Sequence, residues 1–145
     1  MDSGIKKTEG LDLSTPIDHL TAIHNLGGDT NMYFMLLARL EEMSLLKDTK
    51  GVSEAFEQND FQAMKDNAHS LKSAAGYAGA GRLQDSCYWI QSHFMAGNYE
   101  GMAEQYPLFI ANVIEVLVYL RKLLAIHKGE GEPEIGPEIE TVSIA

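Results

Sequence analysis

Three consecutive segments of the chain carry apolar residues three and four positions apart, and this spacing constrains the fold more than any other feature. Residues at that interval line one face of an α-helix, which has about 3.6 residues per turn. The stripes are Phe61, Met64, Ala68, Leu71, Ala75 and Ala78; Ala80, Leu83, Cys87, Ile90 and Phe94; and Tyr106, Ile110, Val113, Leu117, Leu120 and Leu124, widened by Phe109, Val116 and Leu123. Together they predict an all-α fold, an antiparallel four-helix bundle with additional short N-terminal helices.

Capping signals indicate where the earlier helices begin. In "STPID", Thr15 is the candidate cap of a first helix, which ends where two glycines follow Leu26. Asp29 is the candidate cap of a second helix, from Thr30 to about Leu46. Its apolar residues on one face are Met32, Leu36, Leu40 and Met43.

The next stretch, "KDTKGVSEAF", is interpreted as a turn that leads into a short helical piece. Asn59 or Asp60 then caps the helix that carries the first apolar stripe. Short turns between successive helices predict antiparallel neighbours.

Length and composition predict one domain with a flexible N-terminus and a disordered C-terminal tail. The chain has 145 residues, of which 45% are hydrophobic, and no stretch approaches a membrane-spanning length. We expect a flexible N-terminus at 1–10 and a helical bundle over 11–128. The last segment, 129–145, contains five Glu, two Pro and no Lys or Arg, which predicts an acidic disordered tail.

The net charge and the cysteine count restrict the classes of partner and the cellular compartment that we expect. The formal net charge of −10 argues against non-specific nucleic-acid binding, which depends on basic patches. Cys87, the single cysteine, cannot form an internal disulfide, which fits a reducing compartment. With no basic, apolar leader, the chain is expected to be cytoplasmic and not membrane-bound, with passive nuclear access if the organism is eukaryotic.

His69 is predicted to face solvent. On a helical wheel it lies about 130° from the centre of its helix's apolar stripe. Lys65, Lys72, Ser73 and Gly76 fall within about 60° of it. An exposed histidine beside solvated lysines is often incidental, but glycine inside a helix costs about 1 kcal/mol relative to alanine. The glycines, which include Gly79, indicate either a close helix contact, the end of the helix, or the close approach of a partner to the imidazole.

The segment "AHSLKSAAGYAGAGRL", residues 68–83, resembles the signature of histidine phosphotransfer (Hpt) domains of two-component phosphorelays. The matching positions are His69, Leu71, Lys72, Gly79, Ala80 and Leu83. Gln91 stands where the family places a glutamine that supports the phosphorylatable histidine. Ser73 departs from the pattern, because family members usually have glycine there.

The resemblance implies that His69 accepts a phosphoryl group from an aspartyl phosphate on one receiver domain and passes it to another. Lys72 would stabilise the phosphate charge, and Gln91 would hydrogen-bond either the imidazole or the phosphoryl group. The supporting positions would be Lys65, Ser73, Gly76 and Gly79.

The implied partners are response-regulator receiver domains and a hybrid sensor kinase, with the chain itself a monomeric phosphocarrier rather than a free-standing enzyme. We expect no metal site and no cofactor in this chain, since Mg²⁺ would arrive with the receiver. No Gly-rich nucleotide loop is evident, so ATP is not the expected donor.

Other interpretations remain open at this point. The chain could be the phosphorylated module of a chemotaxis-type histidine kinase, or a helical interaction scaffold in which His69 is silent. A metal- or haem-binding bundle is disfavoured, because no helix carries the inward-facing histidine pairs that such a site needs. Ile17, Leu20, Ile23 and Met32 are interpreted as core residues, with a docking surface as the alternative.

Overall fold

The structure is a computed structural model that describes residues 10–129. The described part of the chain is helical and contains no β-strand, which confirms the all-α prediction. Its elements are α1 (His19–Asn25), α2 (Thr30–Leu40), a π-helical turn (Glu41–Leu45), α3 (Leu46–Glu57), α4 (Phe61–Ala78), α5 (Gly81–Met95) and α6 (Tyr99–His127). Of the predicted flexible segments, 1–9 and 130–145 lie outside the described residues.

Helix α2, the π-helical turn and α3 follow one another without a break and form one long rod. This rod, α4, α5 and α6 make the four-helix bundle, with the most extensive packing between α4 and α5, α3 and α4, and α5 and α6. The short α1 lies against α2 and the C-terminal end of α4. The predicted bundle with an extra N-terminal helix is therefore confirmed.

Most helices begin at a side-chain cap. Asp29 accepts a hydrogen bond from the Met32 backbone N–H, and Asp60, rather than Asn59, caps α4. The predicted start of the first helix is wrong, because α1 begins at His19 with Asp18 as its cap. The hydroxyl of Thr15 instead donates to the backbone carbonyl of Ile17, before the helix begins.

The prediction of a turn after Leu46 is also wrong, because the whole of "KDTKGVSEAF" lies in the helix α3. Its glycine, Gly51, marks a close approach between two helices. A Cβ atom at Gly51 would collide with the side chain of Asn67 on α4. The glycine therefore allows α3 to pack tightly against α4, and this contact outweighs its low helix propensity.

The three apolar stripes form the core as predicted. Every member is buried except Phe61, Phe94, Leu123 and Leu124, which are partly buried and pack against the core. Helix α2 behaves differently, because its core residues are Tyr33, Leu37 and Leu40. Of the predicted face only Leu40 is buried, whereas Met32 is 49% exposed, Leu36 47% and Met43 65%.

Gly79 ends α4 and joins it to α1. It has a positive φ of 86°, and its carbonyl accepts a 2.8 Å hydrogen bond from the backbone N–H of Asp18. A Cβ atom at Gly79 would lie 2.5 Å from the Asp18 carbonyl oxygen. This position therefore requires glycine both for its backbone conformation and for the space that α1 occupies.

We expect Gly79→Ala to lower the free energy of unfolding by about 2–4 kcal/mol, because backbone strain and a clash with α1 add. Gly97 is the matched control, since it also has a positive φ but a Cβ atom added there would meet nothing within 4 Å. Gly97→Ala should therefore cost only the strain, about 1–2 kcal/mol. Urea denaturation of both variants measures the difference, and equal losses would contradict the tight α1–α4 contact.

Candidate functional site

The predicted site residues other than Gly79 lie along one surface formed by α4 and α5, called here the α4–α5 face, whereas Gly79 is buried at the end of α4 against α1. The two helices run antiparallel, so residues later in α4 lie beside residues earlier in α5. Four pairs follow each other along this face: Lys65 with Phe94, His69 with Gln91, Lys72 with Tyr88, and Gly76 with Gln84.

His69 is exposed, as the helical wheel predicts, and the side chain of Gln91 hydrogen-bonds its ring on the side that faces the protein. Its Nδ1 atom lies 2.7 Å from the side-chain amide nitrogen of Gln91. Gln91 is only 2% exposed, so this hydrogen bond anchors one edge of the imidazole to the buried side of the site. Nε2, at the opposite edge of the ring, is the nitrogen that remains accessible to a partner.

The amide of Gln91 accommodates both neutral tautomers of His69. With its NH₂ group at Nδ1, the ring accepts the hydrogen bond and carries its proton on Nε2. Its carbonyl oxygen, Oε1, is then buried without a partner among residues 10–129. A 180° rotation of the amide brings Oε1 to Nδ1, where it accepts from Nδ1–H and leaves a free lone pair on Nε2. Only this second arrangement makes Nε2 a nucleophile.

The two lysines flank His69 but have different surroundings. The Lys72 ammonium lies 5.8 Å from the centre of the Tyr88 ring, so its stem packs along α5 while its charge stays on the face. The Lys65 ammonium lies 2.7 Å from Asp66 Oδ1 and 5.3 Å from the centre of the Phe94 ring. Lys65 is therefore largely neutralised by its own neighbour.

Asp66 is a charged member of the site that the sequence interpretation missed. The hydrogen bond from Lys65, together with one from Gln62, lowers the pKa of the Asp66 carboxyl below its usual value despite some desolvation. Asp66 is thus ionised at neutral pH. It lies three positions before His69, and this i, i+3 spacing was a signal available in the sequence.

Behind the face, Asp48 of α3 accepts a 3.0 Å hydrogen bond from the hydroxyl of Ser70. Burial raises the pKa of the Asp48 carboxyl, and the Ser70 hydrogen bond opposes this shift only in part. Asp48 therefore supports α4 from beneath, next to the residue that follows His69.

The small residues that follow His69 in α4 differ in their surroundings. Ser73 is exposed one turn after His69. The space beside Gly76 is filled by Gln84, since a Cβ atom there would lie 2.5 Å from Gln84 Nε2. Gly79 ends the helix and contacts α1, so two of the alternatives for the glycines, a close helix contact and helix termination, apply together.

Exposed apolar side chains continue around the bundle from this face. Leu20 is 72% exposed and Tyr77 70%, whereas Ile17 is buried and Ile23 packs partly against the core. The residues that were grouped as core therefore divide, with Ile17 and Ile23 in the core and Leu20 and Met32 on the surface. Between α2 and α4, an apolar cavity of about 470 Å³ is lined in part by Leu36, Met43 and Tyr77.

A comparison with known families gives one match. The model of the Hpt domain matches residues 36–125, which is more than half of the chain. The chain belongs to the Hpt domain family. No curated protein and no solved structure matched it in the corresponding comparisons.

Membership of the Hpt family defines the general role of the chain. Hpt domains carry out histidine phosphotransfer in two-component phosphorelays and interact with receiver domains. Within residues 10–129, this Hpt domain has no helix long and apolar enough to cross a membrane. The same residues bring together no group of three or more His, Cys, Asp or Glu side chains that could hold a metal ion.

Proposed function

We propose that His69 is the phosphorylated residue, and that this Hpt domain accepts a phosphoryl group from an aspartyl phosphate on one receiver domain and passes it to a second. The observation that carries the proposal is the 2.7 Å contact between Gln91 and Nδ1, which holds an exposed imidazole with Nε2 outward. A neutral imidazole carries a lone pair on one ring nitrogen, so it needs no separate base to act as a nucleophile.

The transfer is a substitution at phosphorus. The Nε2 lone pair forms the N–P bond while the acyl phosphate O–P bond of the donor breaks, and the donor's aspartate leaves as a carboxylate. The proton stays on Nδ1, where Oε1 of Gln91 accepts its hydrogen bond. The reverse sequence of events delivers the phosphoryl group to the aspartate of the second receiver domain.

Lys72 supplies positive charge from this chain. It lies one turn after His69 on the same face, so its ammonium can reach the equatorial phosphoryl oxygens. Further neutralisation of these oxygens would come from a Mg²⁺ ion held by the receiver domain. Lys65 contributes less, because Asp66 already binds it.

The donor receiver would be part of a hybrid sensor kinase and the acceptor a separate response regulator, with the Hpt domain acting as a monomer in the cytoplasm. Tyr77, which lies next to Ser73 and Gly76 on α4 and is 70% exposed, offers apolar contact area beside the α4–α5 face for the docked receiver, and Leu20 on α1 and Met32 on α2 are exposed as well. Such exposed apolar patches are typical of protein interaction sites.

A label-chase experiment tests this function. One receiver domain is phosphorylated with ³²P, incubated with the full chain, and removed; a second, unlabelled receiver domain is then added. We expect an acid-labile label on the chain that moves to the second receiver domain. Failure to label the chain from a panel of phosphorylated receiver domains, or label that never leaves it, would contradict a relay function.

A further inference from the structure

A polar cavity of about 410 Å³ lies where α1, α4 and α5 meet, next to the α4–α5 face. Three neutral polar side chains line it, one from each helix: Asn25, Ser73 and Gln84. Among the described residues, none of these three side chains has a hydrogen-bond partner. Asn25 and Ser73 are exposed and Gln84 is half-buried, so their donors and acceptors are open to a partner on three sides of the cavity.

The chemistry of the lining restricts what can enter. No charged residue lines the cavity, and the rest of its wall is largely apolar, including Ala22, Leu26 and Tyr77. Two amides and a hydroxyl can match another amide or hydroxyl group, which both donates and accepts. A charged group would lose hydration without gaining an opposite charge.

The cavity is close enough to His69 to be covered in the transfer complex. Ser73 and Gly76 lie about 6 and about 10 Å along α4 from His69, at 1.5 Å per residue. A standard interface covers about 800 Å² on each partner, a patch about 16 Å in radius. A receiver domain centred on His69 therefore covers the cavity as well.

The walls of the cavity are held in place before any partner binds. Because Gly76 has no side chain, Gln84 can lie against α4 at this point. Helix α1 is fixed to the end of α4 by the hydrogen bond from Asp18 to Gly79. A site that is already formed loses little conformational entropy on binding.

We propose that this cavity binds a neutral hydrogen-bonding side chain, an amide or a hydroxyl, from the docking receiver domain, and that it thereby discriminates between receiver domains. The inference rests on the proposed function, since it takes the receiver domain as the partner. It assigns a recognition role to Ser73, the residue that departs from the family pattern, and to Asn25 and Gln84.

The test measures transfer rates to the full chain from a panel of phosphorylated receiver domains. Gln84→Ala should slow transfer about 10-fold from the receiver domains that use the cavity, the equivalent of one lost hydrogen bond in a buried interface. Gln84→Glu should slow it at least as much. Ser73→Ala, at an exposed helical position, should slow it several-fold and provides a second variant if Gln84 variants fold poorly.

Two controls separate recognition from chemistry. Gln58→Glu adds the same charge at an exposed position at the end of α3 and should leave all rates unchanged. Potassium phosphoramidate, a small donor that needs no docking and releases ammonia as its P–N bond breaks, should label wild type and the Gln84 variants at one rate.

The outcomes are distinct. Unchanged rates from every receiver domain for Gln84→Ala and Ser73→Ala would overturn the inference while leaving the proposed function intact. Faster transfer to Gln84→Glu would show that a cation enters the cavity, which overturns the neutral class of side chain. A wild-type chain that no donor labels would contradict the proposed function itself.

Discussion

His69→Gln should abolish the acid-labile phosphorylation of the chain while leaving its free energy of unfolding within about 0.5 kcal/mol of wild type. The imidazole supplies the only nucleophile in the proposed transfer, and its exposed ring contributes little to the core. Glutamine is the appropriate replacement because its amide can still hydrogen-bond the buried Gln91, whereas alanine would leave that side chain without its partner. Labelling by a phosphorylated receiver domain and urea denaturation measure the two quantities.

His93→Gln is the matched control, because His93 lies on the neighbouring helix α5, two residues after Gln91, but is beside Asn98 rather than on the α4–α5 face. It should retain full labelling. Label that persists in His69→Gln, or that disappears in His93→Gln, would show that the phosphorylated residue has been assigned wrongly.

Lys72→Ala should slow transfer from a receiver domain by about 10- to 100-fold, and Gln91→Ala by about 3- to 10-fold. In the proposed mechanism the ammonium would form charge-assisted hydrogen bonds to the phosphoryl group, which are roughly twice as strong as a neutral bond such as that of Gln91 to the ring. For the free energy of unfolding we expect the opposite order, with the larger loss in Gln91→Ala. Gln91→Ala empties a buried position and should cost about 1–3 kcal/mol, whereas Lys72→Ala should cost less than about 1 kcal/mol.

Lys65→Ala provides the comparison for Lys72→Ala, since both lysines flank His69 on the same helix. Because Lys65 is bound by Asp66 at 2.7 Å, its removal should slow transfer less than about 3-fold. Single-turnover kinetics measure the transfer rate of each lysine variant. Equal effects of the two lysine substitutions would contradict the distinct roles that their surroundings indicate.

The helical core was predictable because three of the helices have a single apolar stripe. In α4, for example, Met64, Ala68, Leu71 and Ala75 repeat three and four positions apart with Lys65, His69 and Lys72 between them, so the period of 3.6 residues selects one buried face. Helix α2 was harder to read because its apolar residues form an unbroken run. Its segment "MYFMLL", residues 32–37, is apolar on all sides, and periodicity alone cannot select between its faces. The structure selects the face of Tyr33, whose hydroxyl donates a 2.7 Å hydrogen bond to the Ala78 carbonyl.

The continuation of α2 into α3 was missed for a different reason. The π-helical turn Glu41–Leu45 shifts the helical period, so a pattern based on 3.6 residues per turn loses its register there. Gly51 then resembles a helix-breaking residue unless its contact with Asn67 is known. Such a contact joins residues that are distant in sequence, and local propensity does not contain it.

The parts of the site that depend only on helical geometry were predictable from the sequence. The wheel places His69 and Lys72 on one exposed face. Gln91 was predicted from the resemblance to Hpt domains, and the structure places it beside His69. The pairing of Lys65 with Asp66 depends on side-chain conformation, which spacing does not specify. Gln84 and Tyr88 were identifiable in principle, because they precede Gln91 by seven and three positions and so share its face of α5.

The most direct test of the account is to identify the phosphorylated atom in the full chain. The chain, labelled with ¹⁵N at histidine and loaded by a phosphorylated receiver domain, is measured by long-range ¹H–¹⁵N correlation with detection of ³¹P coupling. We predict coupling at Nε2 of His69, with Nδ1 protonated and hydrogen-bonded to Gln91. Coupling at Nδ1, or at the ring of any other histidine, would contradict the account.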